Sequence, residues 1–360
     1  MACGVMAGRR RVAAVACVQA ADRRGIHAIT VRPGRLLAVA RTAGVNVERL
    51  ASLEICAGAG GQALGLEQAG FAHEAVVELD PDACETLRLN RGPEWKIIEG
   101  DVRGQDGRGF AGIDLLAGGV PCPPFSIAGK QLGAGDDRDL FPYALRLAGE
   151  ARPRAVLLEN VRGLAARRFD GYRAQVLAQL RSLGYQTWWQ EIQASEHGVP
   201  QLRPRFVLVA LQRPWARRFA WPAPSSRPPP SVGDTLRDLM ASGGWPGADT
   251  WAERARGIAP TIVGGSKKHG GPDLGPTRAR RAWAALGVDG LGVADHPPGP
   301  DFPPGRPPKL TVAMVSRLQG FPDGWSFSGR KTAAYRQVGN AFPPPVARAL
   351  GVAIRRALDG

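Results

Sequence analysis

The chain has 360 residues, of which 44% are hydrophobic, and 47 Lys and Arg against 32 Asp and Glu give it a net charge of +15. No apolar run reaches the roughly 18 residues of a membrane span, and the five cysteines lie far apart without a CxxC pair, which argues against a disulfide framework and a metal site. The charge favours a polyanionic partner, and the cysteine usage predicts a protein of the reducing cytoplasm.

Residues 1–44 differ in composition from the rest of the chain. They hold eight Arg, no Lys and a single acidic residue, Asp22. The triplet Arg9–Arg11 followed by Val12–Val18 is faintly similar to a signal peptide, but the remaining sequence has an intracellular character. We interpret the segment as a basic arm without order, or as sequence upstream of a true start near Val45, and assign it no role in the chemistry.

Residues 45–211 alternate between short apolar runs and amphipathic stretches. This alternation predicts a doubly wound, mostly parallel α/β sheet. The predicted strands are Ala51–Cys56, Ala72–Glu78, Trp95–Glu99, Ile113–Ala117, Ala155–Leu158, Thr187–Gln193 and Arg205–Leu211. The predicted helices are Gln62–Ala69, Asp82–Asn90, Leu140–Ala151 and Asp170–Leu183.

The periodicity ends after Leu211. Residues 212–309 hold five of the nine Trp, 14 basic against 8 acidic residues, and several Pro-rich clusters. We predict that they form a second, smaller domain with few regular elements. Residues 310–360 are expected to return to the first domain and to end in a helix over Pro345–Leu358.

A glycine-rich turn follows the first predicted strand. Gly58, Gly60 and Ala63 satisfy the GxGxxG/A spacing, and Glu78 ends the next strand, where a carboxylate can bind ribose hydroxyls. The pattern suits NAD as well as S-adenosylmethionine. Asp101 follows the third strand and is either an acceptor for an adenine amino group or a helix cap.

Three further groups belong to the predicted carboxyl edge of the sheet. Cys122 lies between two prolines on a turn after a buried strand, where a thiol is either a small apolar residue or a reactive group. Glu159 follows the apolar run Ala155–Leu158, where burial can raise the pKa of a carboxylate enough for it to donate a proton. Arg203 and Arg205 share one side of an extended segment and suit a phosphate or a base carbonyl. The alternatives are a capping or salt-bridged carboxylate and a solvated basic edge.

In this order the motifs resemble those of the DNA cytosine-5 methyltransferases, from Ser52 to about Ala353. The matching blocks are Cys56–Gly61, Glu78–Asp80, Gly100–Val102, Pro121–Cys122, Glu159–Val161, Gln201 with Arg203 and Arg205, Leu310–Thr311, Arg317–Pro322 and Gln337–Asn340. Each block alone is weak, whereas all of them in the correct order around a variable insert are specific. Three positions depart from the family: Cys56 stands where Phe is frequent, Leu79 where some members have an aromatic residue, and Pro123 where Gln is common.

The resemblance implies the Rossmann-like fold of class I S-adenosylmethionine-dependent methyltransferases and methyl transfer to C5 of a cytosine flipped out of double-stranded DNA. It implies that Cys122 adds to C6 of the base, that Glu159 acts on N3, and that Arg205 holds O2 while Arg203 supports the loop. It implies cofactor-binding roles for Cys56, Ala57, Gly58, Ala59, Gly61, Glu78, Leu79, Asp101, Val102, Pro121, Leu140, Asn340 and Ala341. It implies that residues 212–309 form the target-recognition domain, in which the run Thr261–His269 either contacts DNA or is a solvated surface loop, and that a loop over Gly129–Asp139 closes over the site. The DNA contacts it implies are Ser126, Lys130, Gln131, Thr261, Ser266, Lys267, Lys268 and His269.

The expected context is a monomer in the cytoplasm, associated with the nucleoid and paired with a restriction endonuclease. Three alternatives stay open at this point: a tRNA cytosine-5 methyltransferase, a DNA-binding relative without catalysis, and an NAD-dependent oxidoreductase. The large insert argues against the first. The intact set of Cys122, Glu159 and Arg205 argues against the second, and the third leaves both features unexplained.

Overall fold

The computed structural model describes residues 49–121, 139–265 and 271–360. An open sheet of seven strands lies at the centre, with helices on both faces. The strands are β1 (Leu50–Ile55), β2 (Phe71–Glu78), β3 (Ile97–Glu99), β4 (Leu115–Gly119), β5 (Ala155–Val161), β6 (Tyr185–Gln193) and β7 (Pro204–Gln212). Each corresponds to one predicted strand.

The strand order is β3-β2-β1-β4-β5-β7-β6. The first five strands in this order are parallel, whereas β7 runs antiparallel to β5 and β6 antiparallel to β7. The prediction of a mostly parallel, doubly wound sheet is therefore confirmed. The order reverses between β1 and β4, and in such sheets the carboxyl ends of these two strands border the crevice where ligands bind.

The helices of the described residues are α1 (Gly61–Gln68), α2 (Pro81–Arg91), α3 (Phe141–Ala151), α4 (Asp170–Ser182), α5 (Arg213–Ala216), α6 (Val232–Ala241), α7 (Ala248–Arg254), α8 (Thr277–Ala285), α9 (Val312–Gln319), α10 (Lys331–Asn340) and α11 (Pro344–Asp359). The five predicted helices match α1 to α4 and α11 within two residues at each end. None of the helices in these ranges is both long and apolar enough to cross a bilayer.

One strand boundary was wrong in a way that matters for the site. The apolar pattern predicts that β5 ends at Leu158, but the strand continues to Val161 because Glu159, Asn160 and Val161 pair with β7. The Asn160 amide also donates to the carbonyl of Val120, at 2.8 Å, and this contact ties β5 to the end of β4. Polar side chains thus occupy a regular strand at the carboxyl edge.

Two apolar cores cover the two faces of the sheet. One contains α3 and α4, and the other contains α11 together with Leu66 of α1. Gly65 allows α1 and α11 to approach closely, since a Cβ at this position would lie 2.3 Å from the Pro344 carbonyl oxygen and 2.5 Å from Ala347 Cβ. Helix α11 therefore fixes the start of α1, and with it the glycine turn before α1.

A third core lies within the C-terminal part of the chain. It combines apolar side chains of α6, α7 and α8 with Met314 and Leu318 of α9 and with Tyr335 and Val338 of α10. Residues 212–309, which we call the insert, and the segment after residue 310 therefore share this core. The domain boundaries at residues 211 and 309 stay a prediction.

Candidate active site

A cavity of about 490 Å³ opens at the carboxyl edge of β1, β2 and β4. Most of the residues that the sequence predicts to bind a cofactor line it: Cys56, Ala57, Gly58, Glu78, Leu79, Asp101, Val102, Pro121, Leu140, Asn340 and Ala341. Ala59 and Gly61 lie outside this lining. Ala59 is buried beneath Trp325, whose indole N–H donates to the Ala59 carbonyl, and Gly61 packs against the Phe342 carbonyl.

The turn after β1 adopts backbone angles that explain its sequence. Gly58 and Gly60 have φ values of 55° and 83°, in the left-handed region that favours glycine. Cys56 also has a positive φ, 51°, which is uncommon for a residue with a side chain. The Gly58 amide donates to Glu78 Oε2 at 2.7 Å. The glycine turn and the carboxylate that ends β2 thus hold each other in place at the wall of the cavity.

The two predicted carboxylates at the cavity wall are anchored by backbone amides. Glu78 Oε1 accepts from the amide of Asp80 at 2.8 Å, in addition to the contact with Gly58. Asp101 caps the turn Val102–Gly104 by accepting from the Arg103 amide at 2.9 Å. Hydrogen bonds from Arg103 lower the pKa of Asp101, so this group carries charge. Asp101 is therefore both a cap and a cavity-lining acid, and the two interpretations are compatible.

Glu159 lies at the same edge, directly beside β4. It is paired with Gly119 in the β4–β5 ladder, and a Cβ at Gly119 would lie 3.3 Å from Glu159 Oε2. The predicted adjacency of the strand before Cys122 and the strand that carries Glu159 is confirmed. Cys122 itself lies outside the described residues, three positions after Gly119.

Arg205 is the ionic partner of Glu159. Its Nε lies 2.6 Å from Glu159 Oε1, and each side chain is 11% exposed. The direction of the Nε–H falls short of a good hydrogen bond, so the contact is an ion pair. Burial raises the pKa of Glu159, while the charges of Arg205 and Arg203 oppose this rise. The net effect is a pKa of Glu159 above its ordinary value.

Arg203 has a different environment from Arg205. It is fully buried and donates to three carbonyls, those of Ile262 at 2.7 Å, Gly339 at 2.8 Å and Ala341 at 2.9 Å. These contacts join the segment that directly precedes β7 to the insert and to the end of α10. Arg203 is thus a positioning residue between chain segments, and the alternative of a solvated basic edge is wrong for it.

Two glutamines extend this buried network. Gln201 Oε1 accepts from the Ile262 amide at 2.9 Å, and its amide nitrogen donates to Gln319 Oε1 at 2.6 Å. Gln319 in turn donates to the Ala341 carbonyl at 2.6 Å. The blocks around Gln201, Gln319 and Asn340, which are far apart in sequence, therefore meet at one point behind the cavity.

The segment at residues 261–265 also packs directly against α10. A Cβ at Gly264 would lie 2.4 Å from the Arg336 carbonyl oxygen and 2.6 Å from Asn340 Oδ1. The Asn340 amide donates to the Gly265 carbonyl at 3.3 Å. Since Arg336 and Asn340 line the cavity, the insert touches the wall of the candidate cofactor site.

Glu54 and Gln62 are buried polar residues of the cavity that the sequence analysis did not single out. Glu54 on β1 and Gln62 on α1 line the cavity and are almost completely buried, and their polar side-chain atoms have no hydrogen-bond partner among the residues that the structure describes. Burial raises the pKa of Glu54 well above its ordinary value. An acidic residue at an inward position of an apolar strand was the available signal, since buried carboxylates without partners are rare outside functional sites.

Most of the predicted DNA contacts lie beyond the described ranges. Thr261 is described, is half-buried, and donates its hydroxyl to the Leu202 carbonyl at 2.5 Å. The others fall outside the described residues: Ser126, Lys130, Gln131, Ser266, Lys267, Lys268 and His269. The predicted closing loop falls outside as well, except for Asp139.

Solved structures with this fold are methyltransferases. A protein described as a DNA modification methyltransferase encoded within an E. coli prophage superposes with a TM-score of 0.62 at 23% identity, over 86% of this chain and all of that one. The Dnmt2 methyltransferase of S. pombe superposes with a TM-score of 0.56 at 18% identity, over 87% of this chain and all of that one. The fold is that of the class I S-adenosylmethionine-dependent methyltransferases.

The sequence defines the family more narrowly. The profile of the C-5 cytosine-specific DNA methylases matches residues 50–356, so the chain belongs to this family and is a DNA cytosine-5 methyltransferase of the restriction–modification type. The Type II methyltransferase M.NaeI of Lentzea aerocolonigenes is 60% identical over 317 residues, which cover 87% of this chain and 76% of that protein. The Type II methyltransferase M.NgoMIV of Neisseria gonorrhoeae is 53% identical over 85% of this chain and 97% of that protein.

Proposed function

We propose that the protein transfers a methyl group from S-adenosylmethionine to C5 of a cytosine flipped out of double-stranded DNA, through a covalent bond between Cys122 and C6 of the base. The observation that carries this proposal is the buried Glu159–Arg205 pair beside Gly119, at the rim of the cavity. It supplies an acid and a fixed cation at the edge where the chain continues to Cys122.

The cavity residues fit S-adenosylmethionine. This molecule carries an adenosine, a positively charged sulfonium and an ammonium group, and it supplies an activated methyl group when bound. The cavity is lined by five acids, Glu54, Glu78, Asp80, Asp101 and Glu159, which suit a cationic ligand. The unpartnered side chains of Glu54 and Gln62 provide further hydrogen-bonding capacity in its wall. Glu78 and Asp101 would hold the ribose and adenine, with Leu79 and Val102 beside them.

Cys122, Glu159 and Arg205 would carry out the chemistry on the cytosine. The Cys122 thiolate adds to C6 of cytosine, Glu159 donates its proton to N3, and the ring becomes an enamine. C5 of this enamine would take the methyl group that S-adenosylmethionine supplies, and the methyl–sulfur bond would break so that S-adenosylhomocysteine leaves. Removal of the C5 proton by a base then restores the double bond and expels the thiolate, while N3 returns its proton to Glu159. Arg205 would bind O2 and keep the cytosine against the acid.

The cytosine must leave the duplex to reach this pair, because stacking blocks both faces of C5 and C6. Flipping the base costs roughly a few kcal/mol, and contacts of the base with the pocket offset this cost. We further infer a pairing with a restriction endonuclease that cuts the same DNA site, since the relatives above are Type II methyltransferases. Host DNA methylated by this protein would then resist that nuclease.

A trapping experiment tests the proposal. Duplex DNA that contains 5-fluorocytosine at the target should form a stable adduct with the protein and S-adenosylmethionine, because the fluorine at C5 cannot leave as a proton does. Cys122→Ser should give no adduct. The matched control is Cys84→Ser, since Cys84 is a buried thiol of α2 that does not line the cavity. A wild-type protein without adduct on a sequence-rich substrate, or an adduct that survives Cys122→Ser, would contradict the proposal.

A further inference from the structure

Two extended segments lie side by side next to the proposed active site. Gln201 forms a parallel bridge with Ala259, and the Leu202 amide donates to the Ala259 carbonyl at 2.8 Å. The Thr261 hydroxyl donates to the Leu202 carbonyl at 2.5 Å, which continues the contact along both segments. We refer to residues 201–203 and 259–263 together as the paired ribbon.

The paired ribbon has two different faces. Its inner face is completely buried and carries Gln201, Arg203 and Ile262, which take part in the network behind the cavity. Its outer face carries Leu202, which is 47% exposed, and Val263, which is 45% exposed. The exposed apolar side chains are thus presented on a backbone that is fixed from behind.

The outer face of the paired ribbon lies close to residues proposed to take part in the reaction. Leu202 lies three residues before Arg205, the partner of Glu159, and Val263 directly precedes Gly264, which packs on Asn340 at the cavity. Val161, another exposed apolar residue, is paired with Arg205 in the β5–β7 ladder. Half of the large exposed apolar side chains in the described ranges therefore border this one region; the full set is Leu79, Leu89, Val161, Leu202, Val263 and Leu291.

We propose that Leu202 and Val263 pack against the deoxyribose of nucleotides next to the target cytosine and thereby favour DNA over RNA. The inference rests on the proposed function, which requires the duplex to lie over the Glu159–Arg205 pair. Deoxyribose presents an apolar C2′ methylene to such a surface. A ribose would place its 2′-hydroxyl against an apolar side chain, where it loses water without gaining a partner. The net charge of +15 of the chain favours association with the polyanionic backbone.

The salt dependence of binding tests this contact. Leu202→Ala and Val263→Ala should each weaken binding of a duplex with one target site, in the presence of S-adenosylhomocysteine, by about fivefold. The slope of log Kd against log salt should not change, because no phosphate contact is lost. The matched control is Leu291→Ala, an exposed leucine elsewhere in the insert at 69% exposure, which should leave the Kd unchanged.

Ribose substitution gives a second, independent readout. A duplex with single ribonucleotides on both sides of the target should bind the wild-type protein about fivefold more weakly than all-deoxy DNA. Leu202→Ala and Val263→Ala should reduce this difference, and Leu291→Ala should retain it. A wild-type protein that binds both duplexes equally, or a lower salt slope in the two variants, would overturn the proposal even if a variant folded poorly. If the wild-type protein forms no adduct with DNA at all, the proposed function fails, which is a distinguishable outcome.

Discussion

Arg205 reaches across the β5–β7 ladder and places its Nε 2.6 Å from Oε1 of Glu159, where both side chains are 11% exposed. The sequence separates these residues by one α-helix, α4, and one strand, β6, yet the antiparallel return of β7 brings them together. Burial raises the pKa of Glu159 above its ordinary value, and the adjacent Arg205 cation stabilises the charged form after the proton has left. This property underlies the role proposed for Glu159.

Glu159→Gln should lower the rate of methyl transfer by about 10²–10⁴-fold, the usual contribution of a proton donor, while DNA affinity changes little. The acid form is the active one, so the wild-type rate should fall as pH rises through the raised pKa of Glu159. Single-turnover rates measured across a pH series would check both points. An unchanged rate in Glu159→Gln would remove this residue from the chemistry.

Arg205→Ala should destabilise the protein by about 3–5 kcal/mol, because it leaves a buried carboxylate without its partner. The double variant Glu159→Gln, Arg205→Ala should cost less than the sum of the two single variants, since the uncompensated charge is then absent. Urea unfolding of the four proteins gives the coupling free energy. Additive effects would show that the ion pair contributes nothing to the folded state.

Glu54→Gln should stabilise the cofactor-free protein at higher pH. The folded-state pKa of Glu54 is raised by burial, so its contribution to stability is fully present below the ordinary glutamate pKa and is lost as pH rises through the folded-state value. The amide has no such loss. We therefore expect the Tm of the variant to exceed that of the wild type by about 2–4 °C at pH 8, with a smaller difference at pH 5. A pH-independent difference in Tm would contradict this assignment.

Gly264→Ala should weaken the coupling between cofactor binding and DNA binding. The added Cβ would lie 2.4 Å from the Arg336 carbonyl oxygen and displace the insert from the cavity wall. We expect S-adenosylhomocysteine to strengthen DNA binding in the wild type and to do so less, by about fivefold, in the variant. Gly271→Ala is the control, because a Cβ at Gly271 meets no atom of the described residues within 4 Å. Equal coupling in both variants would show that this contact transmits nothing.

The sequence predicted the sheet and most of the cavity because both depend on local signals. Apolar runs and glycine positions located every strand, and the ordered family blocks located the residues that now line one cavity. The end of β5 was harder to predict, since Glu159 and Asn160 interrupt the apolar pattern although they continue the ladder with β7. Polar side chains at a strand end look the same in sequence whether the strand continues or stops.

The environment of Arg203 could not be read from the pattern, and an acid within an apolar strand is only a partial signal for the buried position of Glu54 at the cavity. The spacing of Arg203 and Arg205 predicts one shared side, but the partners of Arg203 are carbonyls of Ile262, Gly339 and Ala341, which only the tertiary fold brings near. Glu54 sits in a strand that reads as apolar, and its burial becomes visible only when β2 and β4 flank it. Long-range contacts of this kind leave no periodic trace in the sequence.

The most direct test of the account is the chemical identity of the methylated nucleoside. Duplex DNA would be incubated with the protein and S-adenosylmethionine labelled in its methyl group, digested to nucleosides, and separated by chromatography with mass detection. The account predicts that all of the label is in 5-methyl-2′-deoxycytidine, and that Cys122→Ser abolishes it. Label in N4-methyl-2′-deoxycytidine or in a purine, or label that persists in Cys122→Ser, would contradict it.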